Sequence, residues 1–183
     1  MIEIKYCMDE IFAPWRIEWV RRETETPDGC IFCNFLESSE DRENLVVARG
    51  KHSYVMMNRH PYNPGHVMVV PNRHTGKYDE LNDEELLDHA RMKQRTFQAL
   101  RASFEPDGFN TGMNLGQGSG GSIDSHIHTH IVPRWNGDTN FMATTSETKV
   151  IVQQIKDSYD ELKTGFAGLD GASTQEGAVK FDG

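Results

Sequence analysis

His126, His128 and His130 stand at a spacing of two in the run His126-Ile127-His128-Thr129-His130. Successive side chains of an extended strand point to opposite faces, so a strand here sets three imidazoles in a row. Ile127, Thr129 and Ile131 then face the other way, and the two isoleucines suit a buried second face. A helix would scatter the imidazoles around its axis. Histidine titrates near neutral pH and serves as nucleophile, general acid or metal ligand. The spacing therefore offers a metal site built on His-x-His pairs or a nucleophilic site.

The loop before this run bears on the choice. Asn114-Leu115-Gly116-Gln117-Gly118-Ser119-Gly120-Gly121-Ser122 is rich in glycine and small polar residues. Such a loop lets backbone N–H groups approach a phosphate and form an anion nest. Beside three histidines it points to phosphate chemistry on a histidine nucleophile. Ser122, the loop amides and a protonated histidine would be the donors to developing phosphoryl charge.

Several elements must position these groups. Leu45 to Ala48, Tyr54 to Met57 and His66 to Val70 are apolar runs of strand length, and Asn63-Pro64-Gly65 predicts a hairpin turn between the last two. Asn82 opens the clearest helix, with Glu85 as its capping-box partner and Leu86, Ala90, Phe97, Leu100 and Phe104 as its buried stripe. Met92 lies off that stripe, where it would permit a helix–helix dimer contact. The helix stops before Pro106-Asp107-Gly108, and Phe109 to Leu115 reads as a strand. The histidine strand follows, ended by Pro133. Ser146 caps a last helix carrying Ile151, Ile155 and Leu162, while Phe12, Trp15 and Trp19 suit a short helix near the start. From Gly165 the composition turns to Gly, Ala, Ser and Thr, which predicts a disordered tail. Strands clustered around one long helix, without strict alternation, predict an α+β domain with an antiparallel sheet. Residues 1–164 would be one domain with an N-terminal extension, and 165–183 the tail.

The bulk numbers exclude several classes. A net charge of −9 argues against a nucleic-acid partner, which would show as a basic stripe, yet leaves room for a small anionic substrate. Apolar runs are too short for a membrane span, and charges interrupt the first 22 residues, which excludes a signal peptide. Three cysteines in such a chain do not predict a disulfide framework; the expectation is a cytoplasmic protein. Cys30 and Cys33 form a C-x-x-C pair, for which zinc ligation and redox chemistry are the usual readings. A thioredoxin-like context is missing, and two reduced cysteines packed as small hydrophobes are the bland alternative. Cys7 has no evident partner.

The run His126-Ile127-His128-Thr129-His130-Ile131-Val132 resembles the signature of the histidine triad family, His-φ-His-φ-His-φ-φ. Asn58-Arg59-His60-Pro61-Tyr62-Asn63-Pro64-Gly65-His66-Val67-Met68-Val69-Val70-Pro71 resembles its nucleoside-binding hairpin. Ala13-Pro14-Trp15-Arg16, Asn114-Leu115-Gly116, Gly120-Gly121-Ser122 and Pro133-Arg134-Trp135 are most similar to the bacterial diadenosine tetraphosphate phosphorylase (ATP adenylyltransferase) branch. The hydrolase branch carries a Gly-Gln pair before the triad, where Gly121-Ser122 stands here with an extra residue.

The resemblance implies a fold with a five-stranded antiparallel sheet, one long helix and a C-terminal helix, assembled as a homodimer. It implies His128 as nucleophile on an α-phosphorus, His130 as donor to a phosphate oxygen and His126 as support. Asn58 would meet a ribose; Asn114, Gly121 and Ser122 would hold phosphates. Trp135 would lie near the phosphate chain or second nucleoside, and His66 beneath the triad. Phosphorolysis of dinucleoside polyphosphates is the first reading, with hydrolysis of those or of nucleoside phosphoramidates as alternatives. A nucleotide-sensing binding protein and a triad-bound metalloenzyme are rivals of other classes. The resemblance also implies a structural Zn2+ held by Cys30, Cys33, His74 and His126, and no organic cofactor.

Overall fold

The computed structural model describes residues 29–138, 154–174 and 177–181. The proposed N-terminal helix, Cys7, Ser146 and Ile151 lie outside them. Two short helices come first, α1 (Ile31–Glu37) and α2 (Asp41–Asn44). Strands β1 (Val46–Arg49), β2 (Ser53–Met57) and β3 (Val67–Pro71) follow, then the long helix α3 (Asp83–Phe104). Strands β4 (Gly108–Gly112) and β5 (Thr129–Arg134), helix α4 (Ile155–Ala167), and strands β6 (Ala172–Ser173) and β7 (Val179–Phe181) complete the order.

The expected five strands are present, but the sheet has seven, in the order β4-β5-β3-β2-β1-β7-β6. The sheet is mixed, because β7 runs parallel to β1 while the other pairs are antiparallel. This also corrects the expectation of a disordered tail from Gly165. Val179 is 0% and Phe181 2% exposed, and Phe181 meets Phe166 of α4 in an edge contact. Burying each of these two side chains contributes about 2 kcal/mol, which anchors a segment of otherwise weak composition.

One core lies between the sheet and the two larger helices; Val55, Val69, Leu100, Leu162 and Phe166 belong to it. A smaller one, with Phe32, Tyr54, Met56, Val70 and Ala178, lies on the opposite face under α1. The second cluster seats the candidate site.

Helix α3 begins at Asn82 with the expected capping box, its side chain accepting from Glu85 N–H while the Glu85 carboxylate accepts from Asn82 N–H. Its buried face keeps part of the apolar stripe expected, with Leu100 in the core and Phe97 and Phe104 packed against it, but adds polar residues. Glu85, Asp88, His89, Met92, Thr96, Ala99 and Leu100 are buried, whereas Ala90 is exposed. Met92 is 0% exposed within the helix–sheet core, so it offers no surface for a helix–helix contact. The polar members are tolerated because each has a partner: Glu85 holds Arg73, Asp88 Oδ2 accepts from His52 N–H, His89 Nε2 meets Thr129 Oγ1, and Thr96 Oγ1 donates to the Met92 carbonyl.

The histidine run is a strand only in its second half. Ladder bonding begins at Thr129, so His126, at a bend, and His128 belong to a lead-in outside the ladder. Pro133 does not end the strand; it pairs with Phe109 beyond Ile131, where β3 has stopped and β5 has a single neighbour. The strand expected from Phe109 to Leu115 is Gly108–Gly112.

Candidate active site

Alternation survives in the lead-in because other contacts replace the ladder. Ile127 N–H donates to the Thr75 carbonyl at 2.8 Å, and Gly76 lies so close to Asp124 that a Cβ there would stand 2.6 Å from its carbonyl oxygen. The loop after β3 therefore guides this segment. On the helix side, Thr129 Oγ1 meets His89 Nε2 at 2.8 Å, and Ile131 enters the core. On the other side the three imidazoles follow one another, with His128 and His130 ring centroids 4.9 Å apart.

Hydrogen bonding fixes the tautomer of each imidazole, with His128 opposite to His130 and His126. His128 Nδ1–H donates to the carbonyl of His126 at 3.0 Å, which leaves the lone pair on Nε2. Burial shifts His128 toward the neutral form, outweighing the opposing effect of that bond. The ring is thus a neutral base or nucleophile. His130 belongs to a relay. Tyr62 N–H donates to His66 Nδ1 at 3.1 Å, so His66 Nε2 carries the hydrogen and donates to His130 Nδ1 at 3.0 Å. In neutral His130 the hydrogen then resides on Nε2, which is a donor. His66 is 0% exposed and stacks on Tyr62 with ring centroids 4.9 Å apart. One imidazole presents a lone pair and its neighbour a hydrogen.

His126 turns elsewhere. Its Nε2–H donates to the Pro71 carbonyl at 2.8 Å, so Nδ1 holds the lone pair. That nitrogen lies 3.3 Å from Cys30 Sγ and 3.7 Å from Cys33 Sγ, and Cys33 Sγ lies 3.4 Å from His74 Nδ1. All four ligand atoms fall within 4.8 Å of one another. Tetrahedral bonds of about 2.3 Å to sulfur and about 2.05 Å to nitrogen place S and N about 3.6 Å apart. The observed separations fit that shell, and the Pro71 carbonyl supplies the orienting partner such a histidine needs. Burial and the neighbouring Cys30 push the Cys33 thiol up to about 11. A cation would have to displace its proton, as zinc does. Arg73, in its bidentate pair with Glu85, sits one residue before His74 and fixes the loop that carries it.

A cleft opens over His128 and His130. Asn58, Asn114 and Ser122 line it with them. Asn58 Oδ1 accepts from His60 N–H at 2.9 Å, which sets its loop. Gly121 packs against Asn114, where a Cβ would come within 3.0 Å. His66 lies beneath, touching the site through His130, and His126 faces the cysteines. Trp135 is not among the lining residues; its indole N–H donates to the Phe104 carbonyl at the end of α3.

The apolar wall escaped the sequence reading. Ile31, Phe32 and Phe35 of α1, with Met56, Met68 and Ile123, line the cleft. Phe32 packs on both His126 and His128, at 5.4 and 5.0 Å between ring centroids. The Cys30-Ile31-Phe32-Cys33 run drew attention to its cysteines, yet Ile31, Phe32 and Phe35 at helical spacing were a usable signal. Arg59 and His60 also line the cleft; Arg59 sits over the Phe35 ring at 5.7 Å. The combination is an apolar slot ending at a nucleophile and a donor, next to a glycine loop. It suits a planar apolar group joined to an anion. Among the described residues no helix is long and apolar enough to cross a membrane.

The HIT domain family model matches residues 39–137. An AP-4-A phosphorylase of Mycobacterium tuberculosis is 44% identical over 127 residues, covering 69% of this chain and 65% of that protein. The match therefore spans just under two thirds of that relative. An uncharacterized HIT-like protein of Methanocaldococcus jannaschii is 33% identical over 60% of this chain and 81% of its own length. Among solved structures, a Zn-bound histidine triad family protein from Mycobacterium smegmatis superposes with a TM-score of 0.62 at 25% identity, covering 78% of this chain and 96% of that one.

Proposed function

The chain belongs to the HIT domain family, and from this we propose that its cleft transfers a nucleotidyl group from a dinucleoside polyphosphate to inorganic phosphate through a covalent nucleotidyl-His128. The observation that carries this reading is the 3.0 Å bond from His128 Nδ1–H to the His126 carbonyl, which aims the Nε2 lone pair outward. Nε2 attacks the α-phosphorus, and the bond to the leaving polyphosphate oxygen breaks with its electron pair. The imidazolium so formed keeps its Nδ1–H on the carbonyl, which stabilises the positive charge. His130 Nε2–H donates to a non-bridging oxygen, oriented by His66, while Ser122, Asn114 and the loop amides hold neighbouring phosphates. In the second step a phosphate oxygen attacks phosphorus and the P–N bond breaks, returning the lone pair to Nε2. Asn58 meets the ribose, and the wall of α1 excludes water from the base.

The M. tuberculosis relative, named as an AP-4-A phosphorylase, supports phosphate as acceptor. Cys30, Cys33, His74 and His126 would hold a zinc ion, in keeping with their spacing and with the Zn-bound mycobacterial relative. When bound, that ion cross-links α1 to the lead-in of β5 and leaves no open ligand position for catalysis. The test is product analysis from diadenosine tetraphosphate with and without inorganic phosphate. ADP and ATP formed only with phosphate is the expected outcome. AMP release at a rate that phosphate leaves unchanged would assign water as acceptor and refute phosphorolysis.

A further inference from the structure

Helix α1 is a wall of the cleft only seven residues long, too short to hold its own shape, so its place depends on what grips its ends. The four cysteine and histidine ligands lie at its start. Its far end is gripped by one guanidinium. Arg49 Nη1–H donates to the Leu36 carbonyl at 2.8 Å, and Nη2–H donates to those of Phe35 and Ser38 at 2.9 and 3.0 Å. These are carbonyls that a helix C-terminus leaves without intrahelical donors. Arg49 is aimed by Asp41 Oδ1, at 3.0 Å from Nε and 2.6 Å from Nη2, and both side chains are largely buried.

The other oxygen of Asp41 reaches the end of the chain. Asp41 Oδ2 accepts from Ala178 N–H at 2.7 Å. Ala178 is 0% exposed in the same small core as Phe32, and β7 follows immediately in register with β1. Gly177 fits this junction closely: its φ is +92°, and a Cβ there would stand 2.5 Å from Asp41 Oδ2. A continuous set of contacts thus runs from the C-terminal strand through Asp41 and Arg49 to the end of α1.

We propose that Asp41, Arg49 and β7 form a positioning clamp that sets α1 against the nucleotide in the cleft. Its effect on binding rests on the nucleotide reading above, but its effect on α1 does not. Asparagine at 41 keeps the shape but can serve only one of the two partners through oxygen. Gly177→Ala presses on the same carboxylate from the tail. The experiment measures amide hydrogen exchange of Ile31–Glu37 in the full chain, with α3 as internal reference, alongside AMP affinity and steady-state kinetics. In both Asp41→Asn and Gly177→Ala, exchange of α1 should accelerate roughly tenfold while α3 keeps its wild-type rate. AMP binding and KM should weaken roughly threefold to tenfold, with kcat within about twofold. Wild-type exchange of α1 in both variants would overturn the clamp, and so would acceleration of α3 in step with α1. If the wild-type chain fails to bind AMP, the nucleotide reading falls and the exchange pattern alone decides the clamp.

Discussion

His89 lies on the far side of the sheet from the cleft, yet its Nε2 meets Thr129, the residue between the two cleft-facing histidines, at 2.8 Å. It is 2% exposed, its Nδ1 has no hydrogen-bond partner among the described residues, and burial with nearby Lys93 lowers it from 6.5 to about 4. The unfolded chain therefore takes up this proton first as the pH falls. Between about 6.5 and about 4 the unfolded state binds more protons, so stability drops with falling pH and the loss is complete below about 4. The whole interval amounts to about 3 kcal/mol, and from about pH 7.5 to about pH 5 the loss is about 2 kcal/mol. His89→Gln keeps a donor toward Thr129 and removes the titration. Urea unfolding of both proteins across this range, at fixed ionic strength, gives two stability profiles. The other histidines contribute to each, so the difference between the profiles isolates His89. The wild-type protein should lose about 2 kcal/mol more than the variant on acidification. Parallel profiles would show that His89 carries no such penalty, and the reasoning from its burial would fail.

Three further outcomes follow from the same geometry. His128→Ala should lower turnover by about 10⁴-fold or more while AMP binding measured by calorimetry stays within a few-fold, since the nucleophile is lost and the apolar wall remains; comparable activity would remove His128 from the nucleophile's place. His66→Leu should cut kcat roughly tenfold to a hundredfold with little change in KM, because His130 loses the donor that fixes its tautomer. An unchanged kcat would mean that the relay does not orient His130. Cys33→Ser, or chelation of the intact protein, should remove one zinc per chain and lower Tm by roughly 10 °C; elemental analysis and calorimetry check it, and a Tm indifferent to chelator would refute structural zinc.

Features that rest on local chemistry were legible in the sequence. The Asn63-Pro64-Gly65 turn is where it was expected, with Gly65 at φ +73° and packed so closely on Phe104 that a Cβ would meet it at 3.0 Å. The Asn82–Glu85 box was equally plain, since both partners lie within one turn. What escaped depends on partners remote in the chain. The pairings of Glu85 with Arg73 and of His89 with Thr129 are of this kind, because nothing beside either residue in the sequence announces its partner. Strand β7 has three residues, of which two are buried, too few to show a period among glycines and serines. The lead-in at His126 looked like strand because its side chains alternate, although its hydrogen bonds go to Thr75 and Pro71 instead of a ladder. In the candidate site the histidines and the glycine loop announced themselves by type and Asn58 and Asn114 through the resemblance, whereas the apolar wall on α1 did not, because isoleucine and phenylalanine are ordinary core residues until a cleft is seen beside them.

The stretch from His126 to Ile131 serves both faces of the sheet at once. His126 faces the cysteines, His128 and His130 face the cleft, Ile127 and Thr129 are bonded to distant segments, and Ile131 is 0% exposed. Six adjacent positions therefore answer to different demands, and none has spare latitude to compensate for a change in its neighbour. Its partner strand β4, exposed at three of its five positions, carries fewer such obligations, chiefly Phe109 against the core. Within one pair of hydrogen-bonded strands, evolutionary drift should be nearly frozen on one side and freer at the exposed positions of the other, a contrast in substitution rate that follows from geometry alone.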